Sequence, residues 1–478
     1  MKRLNGMDAM LLYSETPNLH THTLKVAVID ATDYDGDFSF EVFRQTIQRR
    51  LHLLDPLRYR LVDIPWKLHH PMWMEDCEVD LDYHLRRVQI PSPGGRRELD
   101  QVIGEIASTP LDRDRPLWEF HFAEGMADNR FALIGKVHHT LADGVASANL
   151  LARLMDLTGS EQEERDGYTT REPPSPRELL RTAGRDHVQN IAALPGLIRD
   201  GVRGFARVRR RSKERGDQPE MAKMFKFPPT FVNHVVSPVR TFATASLALN
   251  EVKETAKHLG VTFNDIVLSM AAGGLRELLL RYDGRADRPI MASVPVATDK
   301  SVDRITGNEI SGLPVSLPVH IDDPLERVRL TAMAASRAKE DNELLGPKLH
   351  GRLMEYLPPA FAPALFRWQA KRTAHSAIMN VAVSNVPGPR ERGHIGGAPV
   401  NEIYSIGILS AGSAFNMTVW SYVDQVDISI LSDDLTFNDV HEATDAMIHG
   451  LAEIRRAAGL PAELSTVDTA MAPTKPVN

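Results

Sequence analysis

The sequence predicts an α/β protein of two similar domains, on three observations. The chain has 478 residues, 42% of them hydrophobic, and single cores stop growing at roughly 250–300 residues. Strand-like and helix-like patterns alternate from the start. A charged, proline-bearing interruption follows residue 158, and alternation resumes near Pro238. The expected organisation is an N-terminal domain over 1–158, a charged linker and helical connection over 159–237, a second domain over 238–465 and a disordered tail over 466–478.

In LKVAVID (24–30), Leu24, Val26 and Val28 alternate as in a strand. SFEVFRQTIQRRLHLLD then sets Phe40, Phe43, Ile47, Leu51 and Leu54 at helical spacing behind Ser39 as a cap. WEFHFAEGMADNRFALIGKVHH reads as two strands around a polar turn. In the second strand Leu133, Gly135, Val137 and His139 share one face, while Ile134, Lys136 and His138 share the other. The adjacent histidines therefore point in opposite directions. After TLADG, the segment VASANLLARLMD repeats Val145, Ala148, Leu151 and Met155 at helical spacing, so the doublet sits where a strand gives way to a helix.

The stretch 159–178 is rich in charge and turn formers and reads as linker. Residues 199–215 carry eight Lys/Arg against two Asp/Glu, beside a stripe of Leu197, Ile198, Val202, Phe205 and Val208. Two readings stand: a basic amphipathic helix lying on an anionic membrane, or a linker helix weakened by Gly201 and Gly204 and packed between domains. VTFNDIVLSMAAGGLRELLL continues as a helix, PIMASVPV, SGLPVSLPV, NVAVSNV and QVDISIL as strands, and a last helix begins near Asn438.

A net charge of -7 argues against nucleic acid as a partner, since phosphate recognition needs a basic face. The single cysteine, Cys77, excludes an intramolecular disulfide and points to a reducing cytoplasm. Acidic neighbours Glu75, Asp76 and Glu78 suppress its thiolate and argue against an acyl-enzyme nucleophile. The N-terminus lacks a secretory signal, and no apolar run reaches the roughly 18 residues that span a bilayer. Contact with membranes or lipid inclusions is therefore expected to be peripheral.

The chemistry lies in HHTLADG (138–144). An alcohol becomes a nucleophile once a base takes its proton, and a neutral imidazole at the end of a rigid strand does this. His139 takes that role, with His138 as the other member of the doublet. Asp143 fixes the loop through backbone or an arginine, and Gly144 lets the following helix approach closely. Competing readings are two packed strand-end histidines, or a His-His-Asp metal site; adjacent strand residues diverge and no further ligand lies near, so no metal is expected. The reaction these parts fit is acyl transfer to an alcohol.

HHTLADG resembles the HHxxxDG signature of the CoA-dependent acyltransferase superfamily, which includes chloramphenicol acetyltransferase and peptide-synthetase condensation domains. Further segments resemble the bacterial wax ester synthase/acyl-CoA:diacylglycerol acyltransferase family, actinobacterial triacylglycerol synthases in particular. They are LNGMDAMLLYSETP, DRDRPLWEF, TFNDIV, TGNEISGLPVSLPV and AVSNVPGPR, in that order around the histidines. The resemblance implies two chloramphenicol-acetyltransferase-like domains with mixed sheets flanked by helices, and an active-site tunnel at their junction. It further implies a long-chain acyl-CoA as donor substrate, with no cofactor, and diacylglycerol or a fatty alcohol as acceptor. Acceptor, chain length and oligomeric state stay open. The alternatives are a condensation-like or polyketide-associated acyltransferase with a carrier-bound donor, and a non-catalytic lipid-surface scaffold.

The ancillary segments also have structural readings. Pro116, Leu117 and Trp118 open a strand and pack. Thr262 and Asp265 form a capping box, leaving Asn264 to aid an oxyanion or orient the histidine. Ser384 and Asn385 precede a rigid turn and are candidates for substrate contact. Glu15 matches a family position near the tunnel mouth.

Overall fold

The computed structural model describes residues 1–155, 157, 174–216, 219–223, 227–372 and 377–465. Residues 159–173 of the predicted linker and the predicted disordered tail at 466–478 lie outside the described residues.

Two six-stranded mixed sheets organise the chain. The first runs, edge to edge, His394–Ile395, Ala398–Ile406, His22–Asp30, Arg130–His138, Trp118–Glu124 and Leu85–Gln89. All its pairings are antiparallel except the last. The second runs Ile310–Leu317, Ile290–Ala297, Val381–Pro387, Phe415–Tyr422, Gln425–Asp433 and Arg240–Ala248. Val381–Pro387 is parallel to both neighbours and the other pairs are antiparallel.

The segment 238–465 thus contributes to both sheets, because Ala398–Ile406 crosses to pair with His22–Asp30. Buried polar groups rivet this crossing. Asp427, on the second sheet, accepts from the Ile403 amide at 3.2 Å and from Ser246 Oγ at 2.6 Å. Arg96 bonds Glu402 at 3.1 Å, and also Tyr404 and Thr244. Burial, then the neighbouring Glu402, lifts the Asp427 carboxyl well above its ordinary value. Such groups are tolerated in a core only when bonded this fully.

Around the histidine strand, the period-2 pattern divides the core as the sequence predicts. Leu133 packs with Phe43, Ile47, Phe120 and Leu151 beneath helices Phe40–Arg50 and Gly144–Leu154. Ile134 packs on the other face with Val26, Val28 and Ile103, the last from helix Arg96–Ala107. Ser39 does hold the cap position of Phe40–Arg50, but its side chain makes no capping bond. In the second half, helices Phe263–Tyr282 and His441–Ala457 cross closely at glycines. A Cβ on Gly274 would lie 2.8 Å from the Ala446 carbonyl oxygen, and one on Gly450 would lie 2.7 Å from that of Met270.

Glycines 201 and 204 do not break the connecting helix, which runs unbroken over Pro176–Glu214. Gly204 is there for contact: a Cβ would sit 2.6 Å from the Leu345 carbonyl oxygen. Among the described residues, no helix is long and apolar enough to cross a membrane.

Candidate active site

HHTLADG begins at the last residue of strand Arg130–His138 and ends at the first turn of helix Gly144–Leu154. The two histidines diverge. His138 is fully buried; its Nε2 lies 2.8 Å from Thr21 Oγ1, and its Nδ1 accepts the Thr140 amide at 3.2 Å. With Nδ1 accepting the Thr140 amide, Nε2 is left to face Thr21 Oγ1. Glu15 Oε1 lies 3.7 Å from the same Nε2. Burial opposes ionisation of Glu15, but His138 and Arg113 outweigh it and hold the carboxyl down to about 2. His138 is thus a packed, fully bonded residue.

His139 is only partly buried, and its ring makes no hydrogen bond to another of the described residues. Its backbone is held from two sides: the amide donates to Thr21 O at 2.8 Å, and the carbonyl accepts from Asn308 Nδ2 at 2.7 Å. Asn308 is itself fixed by Asp8, through its backbone amide at 2.9 Å and its side-chain nitrogen at 2.8 Å. Burial depresses the His139 pKa, outweighing the opposite pull of its own carbonyl and of Asp143, and the nearby Lys25 charge adds to the depression. The ring is therefore neutral at pH 7 and can accept a proton.

Asp143 does not bond His139. Its carboxylate caps the following helix through the Ala146 amide at 3.0 Å, accepts the Glu309 amide at 2.9 Å and pairs with Arg304 at 2.9 Å. Gly307, at φ +80°, lets its loop run beside Ala142, and its amide donates to Leu141 O at 2.7 Å. The carboxylate thus ties the histidine loop to a loop some 160 residues later.

The other expected residues fall into two groups. Pro116, Leu117 and Trp118 are buried support: Leu117 O accepts the His138 amide at 3.0 Å, and Trp118 Nε1 bonds Leu57 O at 2.7 Å beneath a stacked His84. Thr262 and Asp265 form the expected capping box. Asn264 and Asn385, by contrast, come together across two elements, with Asn385 Nδ2 at 3.4 Å from Asn264 Oδ1. Ser384 precedes Asn385 on the same half-exposed strand end. One residue later, Val386 lies 3.1 Å from where a Cβ on Gly144 would stand. Neither asparagine bonds His139.

Sequence reasoning assigned no role to Thr21, Lys25, Asp8, Arg304 or Asn308. Lys25 carried the strongest signal, a lysine inside an apolar strand pattern. Its ammonium reaches Ser405, lies 5.1 Å from the centre of the Trp420 ring, and is held down to about 8 by burial. It lines an apolar cavity on the His139 face of the sheet with Leu57, Phe120, Val137, Leu150 and Leu154. Cys77 is buried, and burial first, then Asp76, raises its thiol; the direction agrees with the sequence argument, although the main cause differs.

Residues 4–267 match the model of the wax ester synthase/diacylglycerol acyltransferase catalytic domain, and residues 306–455 match that of the WS/DGAT C-terminal domain. The chain belongs to this family. It is accordingly an acyltransferase. It is 55% identical to a Mycobacterium tuberculosis protein provisionally named a diacylglycerol O-acyltransferase, over 99% of this chain and all of that one. A second M. tuberculosis protein given the same provisional name is 36% identical over 98% of this chain and all of its own length. Among solved structures, the wax ester synthase/diacylglycerol acyltransferase of Marinobacter aquaeolei superposes with a TM-score of 0.68 at 26% identity, covering 96% of this chain and all of that one. The first condensation domain of the CDA synthetase shares the fold, with a TM-score of 0.56 at 17% identity over 97% of each chain.

Proposed function

We propose that the protein transfers a long-chain acyl group from acyl-CoA to diacylglycerol, and to long-chain alcohols where these are offered, with His139 as the general base. One observation carries the reading: a neutral imidazole, without a hydrogen-bond partner among the described residues, held by its backbone at the meeting of both halves of the chain. The reaction takes place in a ternary complex. His139 removes the hydroxyl proton as the acceptor oxygen attacks the thioester carbonyl. The tetrahedral intermediate collapses, the C–S bond breaks, and the CoA sulfur takes the proton from the imidazolium. Asn264, whose Oδ1 is the atom turned to Asn385 Nδ2, supplies its amide nitrogen as donor to the developing oxyanion. The cavity lined by Leu57, Phe120, Leu150 and Leu154 is apolar like an acyl chain but only about 40 Å³ in volume, so its walls must part for a long chain to enter.

The substrates reside in or near lipid, so the enzyme works as a peripheral protein at a membrane or lipid-inclusion surface. The test is acceptor-dependent release of CoA from palmitoyl-CoA given dioleoylglycerol or hexadecanol, with lipid products resolved. Triacylglycerol or wax ester formation supports the reading and identifies the acceptor. Absence of both products from folded protein overturns it.

A further inference from the structure

Helix Pro176–Glu214 packs on the body through one side only. Leu197 is buried, Gly204 abuts Leu345, and Leu179 and Ala183 sit with Ile64 and Met72. A second apolar stripe stays exposed among the described residues. Val188, Ile191, Leu194, Ile198, Val202 and Phe205 are between 38% and 69% exposed. At 100° per residue they fall within an arc of about 120°, the width of an amphipathic face. Six such side chains in one row form a contiguous patch, where single exposed apolar residues would need no explanation.

Two further observations identify what covers this stripe. Arg199, Arg203, Arg207 and Arg210 occupy the adjoining arc, all exposed, which places a positive band along one edge of the apolar row. Beside the helix, Trp66 stands 78% exposed in a left-handed backbone conformation, φ 55°. Its loop is tied to the helix by His187 Nε2 at 2.7 Å from Leu68 O. An exposed indole held in this conformation, next to Lys67, has the character of an interfacial anchor.

We propose that this stripe, its arginine band and Trp66 dock the protein onto an anionic phospholipid surface. The apolar row enters the acyl boundary and the guanidinium groups meet lipid phosphates. This deepens the functional reading by naming the surface that meets lipid, and binding to substrate-free vesicles is read apart from turnover.

The experiment is flotation of the purified full chain with vesicles of phosphatidylcholine alone or mixed with phosphatidylglycerol. Wild type is expected to float with the mixed vesicles and far less with phosphatidylcholine. Ile198→Ser/Val202→Ser/Phe205→Ser should lower the bound fraction about tenfold on both. Arg199→Gln/Arg203→Gln/Arg207→Gln should abolish only the preference for anionic lipid. Turnover of a short, water-soluble acyl-CoA and alcohol should be unchanged in both variants, and its loss from wild type would count against the chemistry alone. As a second reading, a fluorophore on Val202→Cys should shift to the blue on anionic vesicles, with Cys77 buried and unlabelled. Wild-type protein that stays unbound, an apolar variant that floats unchanged, or a probe that does not shift would overturn the proposal. So would an apolar variant that dissolves a wild-type dimer without changing vesicle binding, which would assign the stripe to a second copy of the chain.

Discussion

Replacing Arg304 by methionine is expected to destabilise the protein more than replacing both members of its ion pair. Asp143 is 1% exposed and its partner's side chain 11%, so Arg304→Met strands a carboxylate in the interior with only the Ala146 and Glu309 amides left to it. Breaking a buried pair from one side costs about 3–5 kcal/mol, and the two remaining amides place this case near the lower figure. Asp143→Asn keeps a good helix cap and removes the charge, for about 1 kcal/mol. With both changes nothing charged remains stranded, and the expected cost is about 2 kcal/mol, against about 4 for independent sites. Thermal unfolding of the four proteins should therefore rank wild type, Asp143→Asn, the double variant, then Arg304→Met. Because Asp143 holds the loop and does not bond His139, Asp143→Asn should lose only about tenfold in kcat/KM. Additive destabilisation would refute the reasoning. So would an Asp143→Asn enzyme of full stability that is as inactive as one lacking His139.

Three other outcomes follow from the same geometry. Burial lifts Asp8 to about 7, so between about pH 4 and 7 the folded protein keeps a proton the unfolded chain has lost; the stability Asp8 contributes should fall as pH rises through that window, and Asp8→Asn should flatten the thermal-midpoint profile. The depressed pKa of His139 places the acid limb of kcat/KM below the ordinary histidine value of about 6.5. Lys25→Met removes a charge that helps depress it and should move that limb to higher pH, whereas an unmoved limb would place Lys25 outside the site. His138→Ala leaves the Thr140 amide and Thr21 hydroxyl without their partner and should lower stability by about 1–3 kcal/mol, which thermal denaturation would register.

What the sequence disclosed is what short-range periodicity encodes. Period-2 alternation separated His138 from His139, and the Thr262–Asp265 spacing gave a capping box that the structure contains. Trp118 read as core and is core. What stayed hidden depends on contacts between distant residues. Asn308 was visible in TGNEISG, but its grip on the His139 carbonyl spans 169 positions and its own anchor, Asp8, lies 300 away. No local pattern marks such pairs. Nor did the strand pattern show that Ala398–Ile406 would leave its neighbours for the first sheet. The helix Pro176–Glu214 runs on through Gly184, Gly196, Gly201 and Gly204, and Gly204 has a tertiary reason, since a Cβ there would sit 2.6 Å from the Leu345 carbonyl oxygen.

The central claim is that His139 is the base for acyl transfer to a hydroxyl. The direct measurement compares wild type with His139→Ala for CoA release from palmitoyl-CoA with dioleoylglycerol, both proteins having matched thermal midpoints. A loss of about 10²–10⁴-fold in kcat/KM is the expected result. Undiminished acceptor-dependent release by the variant would contradict it.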